Sequence, residues 1–380
     1  MLRRHVFIAL LLGVALTMLT RPSPAAAPDG ELESWIRQQV AERRITGAGI
    51  AVLQGGKLRK LATYGYQDLD SRRKIEPTTL FSVASITKSF TAVAVMTLVE
   101  AGRLRLDDPI GTHLPQLPAA WRDIPVRRLL NHTSGLPDMA LDGVSMRMSG
   151  ATAVEALAAL ERRPFDFPPG GQYRYNQTNY LLLGMLIEKL SGKSFGDYMQ
   201  QKVLRPGGAR SVVLGTSETG LANRSPVFTP YRFDAGPRPT LLEKIEPLPP
   251  ELWTTPPHAY PAGGLNISIS DFARWLSRLL EGKILTPASL RELWTPAMLA
   301  DGTIFKRPPS ATLWDGSGLG WLLGTDTTHP FVGGSGGVRC AFFYYPKDDI
   351  AVIVLTNTQG TGPESLADGI ARRFLQANQQ

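Results

Sequence analysis

Apolar positions recur along this chain with two periods, and the places where the period changes mark its elements. In residues 31–44, Leu32, Trp35, Ile36 and Val40 are spaced as on one face of a helix, with charged residues between. GAGIAVLQ at 47–54 and KLRKLATYGY at 57–66 flank Gly55-Gly56 and read as two strands joined by a glycine turn. Within the apolar stretch 81–95 that follows, a helix is expected with Ser85 in its opening turn. From 104 to 261 the pattern becomes helical and is broken by Pro and Gly loops, with helices expected at 151–163 and 179–190. Helices at 271–280 and 287–293 come next, then strands in LGWLLG, VRCAFFYY and IAVIVLTN, and a closing helix at 364–377. Asp107-Asp108-Pro109 reads as a helix start with Pro at the first helical position. The proline-rich stretch 226–257 reads as a long loop at the mouth of a cleft.

Strands at both ends and helices between them predict an α/β (α+β) fold with one antiparallel sheet built from both termini. The sheet lobe would comprise 28–103 and 262–380. The mostly helical segment 104–261 would be an insert forming a second lobe, with the active site in the cleft between.

Within FSVASITKSFTAVAV, Ser85 precedes Lys88 by three residues, a spacing that puts both on one helix face. A hydroxyl is a weak nucleophile until a base takes its proton, and a lysine serves as that base when burial and nearby positive charge favour its neutral form. Val83, Ile86, Phe90 and Val93 supply the hydrocarbon surroundings. A helix N-terminus beside Ser85 adds unpartnered N–H groups suited to an oxyanion. The spacing alone is weak, since Ser71–Lys74 (SRRK) repeats it in a charged stretch that reads as a solvated loop.

Further motifs accompany it in order: LDDPIGTHLP, LLNHTSGLPD, PPGGQYRYNQTNYLLLG, PAGGLNISISDFARWL, and GGSGG followed by YYPKDDIAVIVLTN. With these, residues 80–357 resemble the serine hydrolases related to class C β-lactamases and penicillin-binding proteins, which include D-aminopeptidases, carboxypeptidases and esterases. The resemblance implies a β-lactamase/transpeptidase-like fold, an acyl-enzyme on Ser85 with Lys88 as base, and no cofactor. It implies that Tyr175 carries protons, the competing reading being an aromatic that only packs beside Tyr173 and Tyr180. Gln177 stands where the family carries an Asn, one methylene further from a substrate amide. Gly334-Ser335-Gly336 stands where the family has Lys-Thr-Gly or His-x-Gly, so these three are expected to line the substrate site. The N–H of Gly337 would join that of Ser85 in the oxyanion hole. Gly334 lacks the family's cation, which shifts expectation from β-lactams and D-Ala-D-Ala ends toward neutral esters or amides. Residues 333–337 also satisfy G-x-S-x-G, but that nucleophile elbow requires a helix after it and a later histidine. Here a strand-like run follows, and no histidine comes after His329.

At the N-terminus, Arg3-Arg4, an apolar run at 6–19 and small residues at Ser23 and Ala25 have the layout of a secretory signal over 1–25. An uncleaved anchor is the competing reading, though the run is short for a spanning helix. Export to the periplasm or extracellular space is the expectation, without stable membrane insertion after cleavage. Loss of Arg3, Arg4 and Arg21 would lower the formal charge from +8 to +5. The remaining basic residues are scattered, which disfavours nucleic acid as a partner. The expected partner is a small-molecule or peptide-like acyl substrate. The single cysteine, Cys340, lies among apolar residues and reads as a buried inert thiol. The five histidines have no metal-ligand spacing, and His132 reads as a loop-bonding residue. The rival of another class is a catalytically idle relative that binds peptidoglycan or a partner protein.

Overall fold

The computed structural model describes residues 29–139, 152–215, 223–232, 240–248, 255–308, 313–325 and 328–377; the leader expected over 1–25 lies outside them. The described strands are β1 (Gly47–Gln54), β2 (Lys57–Gly65), β3 (Leu80–Ser82), β4 (Val213–Leu214), β5 (Phe228–Arg232), β6 (Thr240–Pro247), β7 (Leu265–Ser268), β8 (Gly316–Ser317), β9 (Leu322–Gly324), β10 (Phe331–Gly336), β11 (Cys340–Tyr345) and β12 (Ile350–Thr356). Seven form one antiparallel sheet in the order β2-β1-β12-β11-β10-β9-β8, so the two ends of the chain meet at β1 and β12. Ile50 faces Val354 and Val52 faces Val352 in that central pair.

β1 and β12 are apolar on both faces because both faces are covered. Ala51, Leu53, Phe342 and Ile353 join a large core shared with the helix Ile269–Leu280. The residues between them, Ile50, Val52, Phe343 and Val354, pack under the helices Asp29–Glu42 and Pro363–Ala377. Successive strand residues thus enter opposite cores, as the pleat requires.

The helix Thr87–Glu100 is buried along nearly its whole length, which explains its all-round apolar sequence. Phe90 anchors it, stacked on Trp275 at 3.7 Å and tilted against Phe272 at 5.4 Å between ring centroids. A small sheet, β3-β7-β4, feeds the chain into this helix. Among the described residues no helix is long and apolar enough to cross a membrane.

Three local expectations are corrected. The segment 226–257 contains a β5–β6 hairpin rather than loop throughout. Pro230 lacks an N–H and interrupts the ladder between Thr229 and Tyr231, so proline density hid a strand pair. The helix expected at 151–163 is confined, among the described residues, to Ala153–Ala158, opened by a capping box between Thr152 and Glu155. Pro109 caps the single turn Ile110–His113 instead of entering it, because its extended ψ of 132° is not helical.

Candidate active site

Ser85 lies in a 3₁₀ turn, Ala84–Ile86, that joins β3 to the helix Thr87–Glu100. Ala84 adopts φ +46°, a left-handed conformation unfavourable for a residue with a Cβ. Its surroundings hold it there. Thr87 Oγ1 donates to the Ala84 carbonyl at 2.6 Å and accepts from the Leu265 N–H at 3.1 Å, while the Val83 N–H donates to the Leu265 carbonyl at 3.1 Å. β7 thus fixes the turn from one side.

Lys88 is 3% exposed, and its ammonium has three donors for three neighbours. Nζ donates to the Ala262 carbonyl at 2.7 Å, to Gln177 Oε1 at 2.8 Å and to Ser85 Oγ at 3.5 Å. Two of these partners are carbonyl oxygens that can only accept. The third is a hydroxyl that can also donate. A neutral Lys88 that keeps its two N–H bonds to Ala262 and Gln177 therefore turns its lone pair toward the Ser85 proton. The extra methylene of Gln177 brings its amide onto the lysine, and Gln177 does not line either cavity beside Ser85.

Tyr175 is 37% exposed, unlike the buried Tyr180, so it is not a core aromatic. Lys88 Nζ sits 4.8 Å from its ring centroid, and no hydrogen bond of its hydroxyl is formed with the described residues. The segment around it is splinted by LLNHTSGLPD. Asn176 Nδ2 donates to the Leu136 carbonyl at 2.6 Å, the Gln177 N–H to Asp138 Oδ1 at 3.0 Å and Ser134 Oγ to Asn179 Oδ1 at 2.6 Å. His132, at φ +63°, accepts the Asn176 N–H on Nδ1 at 3.1 Å and lays its ring 4.6 Å from that of Tyr175. Burial and then the Lys88 charge push the imidazole well below its usual range, so it is neutral. An accepting Nδ1 assigns its proton to Nε2. The loop-bonding role expected of His132 is present, and the ring also forms part of the site.

The opposite wall is β10. It is a strand followed by a turn with Gly337 at φ +59° and Val338 at +54°, which leads into β11, so no nucleophile elbow exists at Ser335. A Cβ on Gly336 would lie 2.1 Å from the Val83 carbonyl oxygen and 3.0 Å from the Ser85 nitrogen. Only glycine lets β10 run this close beneath the Ser85 turn. A Cβ on Gly334 would press to 2.9 Å on the ring of Phe342 and 3.2 Å on Ser89 Oγ.

Two cavities meet at Ser85. The inner, about 40 Å³, includes Lys88, His132, Tyr175 and Gly334 in its walls; the outer, about 390 Å³, includes Tyr173, Arg307, Trp314, Ser335 and Gly337. Arg307 stacks over Trp314 with its guanidinium carbon 4.0 Å from the ring centroid. The N–H of Ser85 lies in the first turn, where helical donors lack intrahelical partners, and Gly337 lies beside it on the outer cavity. A larger cavity of about 710 Å³ lies at the β2 edge, remote from Ser85, and pairs no nucleophile with a buried base. Cys340 is fully buried with its thiol pushed up to about 11 by desolvation, and Ser71 lies in an exposed turn, so neither competes as nucleophile.

Comparison with known proteins bears on the whole of this geometry, because the beta-lactamase family profile matches residues 32–377. The chain belongs to the beta-lactamase family. Penicillin-binding protein 4* of Bacillus subtilis (strain 168) is 27% identical over 298 residues, 75% of this chain and 61% of that protein. The octameric penicillin-binding protein homologue from Pyrococcus abyssi is 28% identical, with a TM-score of 0.73 over 92% of this chain and 77% of that one. D-amino acid amidase from Ochrobactrum anthropi SV3 shares the fold, with a TM-score of 0.75 at 24% identity over 92% of this chain and 99% of that one. The chain spans between about a third and three fifths of the length of the curated relatives it matches. The fold is β-lactamase/transpeptidase-like, as the motifs implied.

Proposed function

We propose that this member of the beta-lactamase family is an exported serine hydrolase that works through an acyl-enzyme on an ester or amide. The observation that carries the reading is the contact set of Lys88: a buried amine with two carbonyl acceptors and the Ser85 hydroxyl as its third neighbour. Ser85 Oγ attacks the substrate carbonyl as its proton passes to Lys88 Nζ. The carbonyl oxygen becomes an oxyanion held by the N–H groups of Ser85 and Gly337. Collapse expels the leaving group, which takes a proton through Tyr175. Water then attacks the acyl carbonyl, gives its proton back through the same groups and frees Ser85 with the acid product.

Esters and D-amino-acid amides are the favoured substrates, because β10 carries no cation at Gly334 and has no room for a side chain there. A second reading, a β-lactamase or D-Ala-D-Ala carboxypeptidase, is favoured by Arg307, whose guanidinium lines the outer cavity and is suited to a substrate carboxylate. The idle-relative reading is disfavoured by the intact Ser85, Lys88 and Tyr175.

The test is fluorophosphonate labelling with mass mapping, followed by p-nitrophenyl esters, D-amino-acid amides and nitrocefin. An adduct on Ser85 that is lost in Ser85→Ala, with ester or amide turnover, is expected. An unlabelled protein inert to the whole panel overturns the enzyme reading. Efficient nitrocefin turnover with esters untouched replaces the favoured substrate class by the second.

A further inference from the structure

Arg339 is a buried cation that the reaction above leaves unused. It is 4% exposed beneath the turn between β10 and β11, and it forms no ion pair with a carboxylate among the described residues. Three neutral acceptors hold its fork instead. Nε donates to the Ser82 carbonyl at 3.1 Å, Nη2 to Ser82 Oγ at 3.1 Å and Nη1 to the Gly337 carbonyl at 3.3 Å. Ser82 ends β3, three residues before Ser85. Gly337 is the other residue whose N–H is assigned to the oxyanion. One planar group therefore bridges the two chain segments that each supply one oxyanion donor.

The contact with Gly337 is close, since a Cβ there would lie 2.2 Å from Nη1. Arg339 lines neither cavity at Ser85, so it does not touch substrate. A buried guanidinium cannot shed its proton and is unfavourable without a counter-ion. An oxyanion forming at the Gly337 N–H places a negative charge near the guanidinium, which is itself buried away from water. The ground-state carbonyl brings no such charge.

We infer that Arg339 is a positioning residue of the oxyanion hole, fixing the Ser85 and Gly337 N–H groups relative to each other and adding positive potential that acts on the anionic intermediate. The inference rests on the serine-hydrolase reading. Lysine would keep the charge but lacks the planar fork that spans Ser82 and Gly337.

The experiment compares the full chain with Arg339→Met, Arg339→Lys and Ser82→Ala. It measures the maximal fluorophosphonate acylation rate and half-saturating concentration per titrated site, phenylboronic acid affinity and the melting temperature. Phenylboronic acid forms an anionic tetrahedral adduct on a serine and reports the oxyanion site directly. Arg339→Met should acylate about tenfold to a hundredfold more slowly, below the ~10²–10³ loss for deleting a donor outright. Its half-saturating concentration should stay within about twofold, and its boronate affinity should fall in step with the rate. Arg339→Lys should recover part of the loss, and Ser82→Ala should show a smaller one. A merely structural role would lower the melting temperature or the number of active sites without changing the rate per site. Should Arg339→Met fail to fold, the other two variants decide on the same readouts. Folded variants with wild-type rate and boronate affinity overturn the inference alone. A wild-type protein with no adduct on Ser85 overturns the hydrolase reading and the inference together.

Discussion

Protonation of His132 should unfasten the site from below, and its magnitude follows from the geometry. The ring is buried among Tyr173, Tyr175 and Tyr180, with the Lys88 charge nearby, and Nδ1 accepts the Asn176 N–H. A second proton on the ring would fall on Nδ1 and face that N–H donor. Folded His132 therefore binds its proton well below the usual 6.5, whereas the unfolded chain binds it normally. The unfolded state holds more protons in this window, so stability falls as pH falls below about 6.5, by up to about 1.4 kcal/mol per pH unit. Between about pH 7.5 and pH 5 one such group accounts for roughly 2 kcal/mol. Urea unfolding at both pH values, for wild type and His132→Asn, isolates this share, since asparagine tolerates the left-handed backbone there. The variant should lose about 2 kcal/mol less than the wild type on acidification. Superimposable losses, or an NMR titration of His132 near 6.5 in the folded protein, would refute the reasoning.

Gln177→Glu places a carboxylate where an amide oxygen now lies 2.8 Å from Lys88 Nζ. A charge-assisted bond to that carboxylate should hold the ammonium as an ion pair and withhold it from the Ser85 proton. Acylation should fall at least about a hundredfold; an unchanged rate would show that this contact does not govern the proton transfer from Ser85. Gly336→Ala should drive β10 off the Ser85 turn, since its Cβ would meet the Val83 carbonyl at 2.1 Å. Labelling of Ser85 should drop by about two orders of magnitude or more, as expected when an oxyanion donor is displaced, and wild-type labelling rates would contradict the close approach. Phe90→Ala empties the fully buried stack on Trp275 and should lower stability by about 3–5 kcal/mol in denaturant unfolding.

The sheet and the Ser85–Lys88 contact were legible because their signals are local. The apolar runs of β1, β11 and β12 can be buried only inside a layered fold, and Ser85 meets Lys88 within one turn. Gln177 was legible as an amide near the site, but its contact with Lys88 spans 89 residues of sequence. His132 stood in a recognisable motif, yet its place beneath Tyr175 depends on how two loops bond across the fold. Arg307 and Trp314 carried no sequence signal, since they reach the cavity only once the strand end near β8 is folded against Tyr173. Arg339 could be noted as a cation near the glycines, but its burial toward Ser82 depends on the turn after β10. The pairing of β5 with β6 was obscured because the prolines of this segment signal loop more strongly than its two strands signal pairing.

The absence of room at Gly334 and Gly336 divides the cleft into a fixed and a variable side. At 334 and 336 β10 lies against Phe342 and the Ser85 turn with no space for a new side chain, so Ser335 is the one β10 residue with a side chain among those lining the two cavities. Changes in which substrate is accepted must therefore come from across the outer cavity, where Tyr173, Arg307, Trp314 and Leu322 present side chains. A search for altered selectivity that randomised the glycine strand would return mostly misfolded or unreactive protein. The same effort spent on positions 173, 307, 314 and 322 leaves Ser85, Lys88 and the Ser85 and Gly337 N–H groups in place.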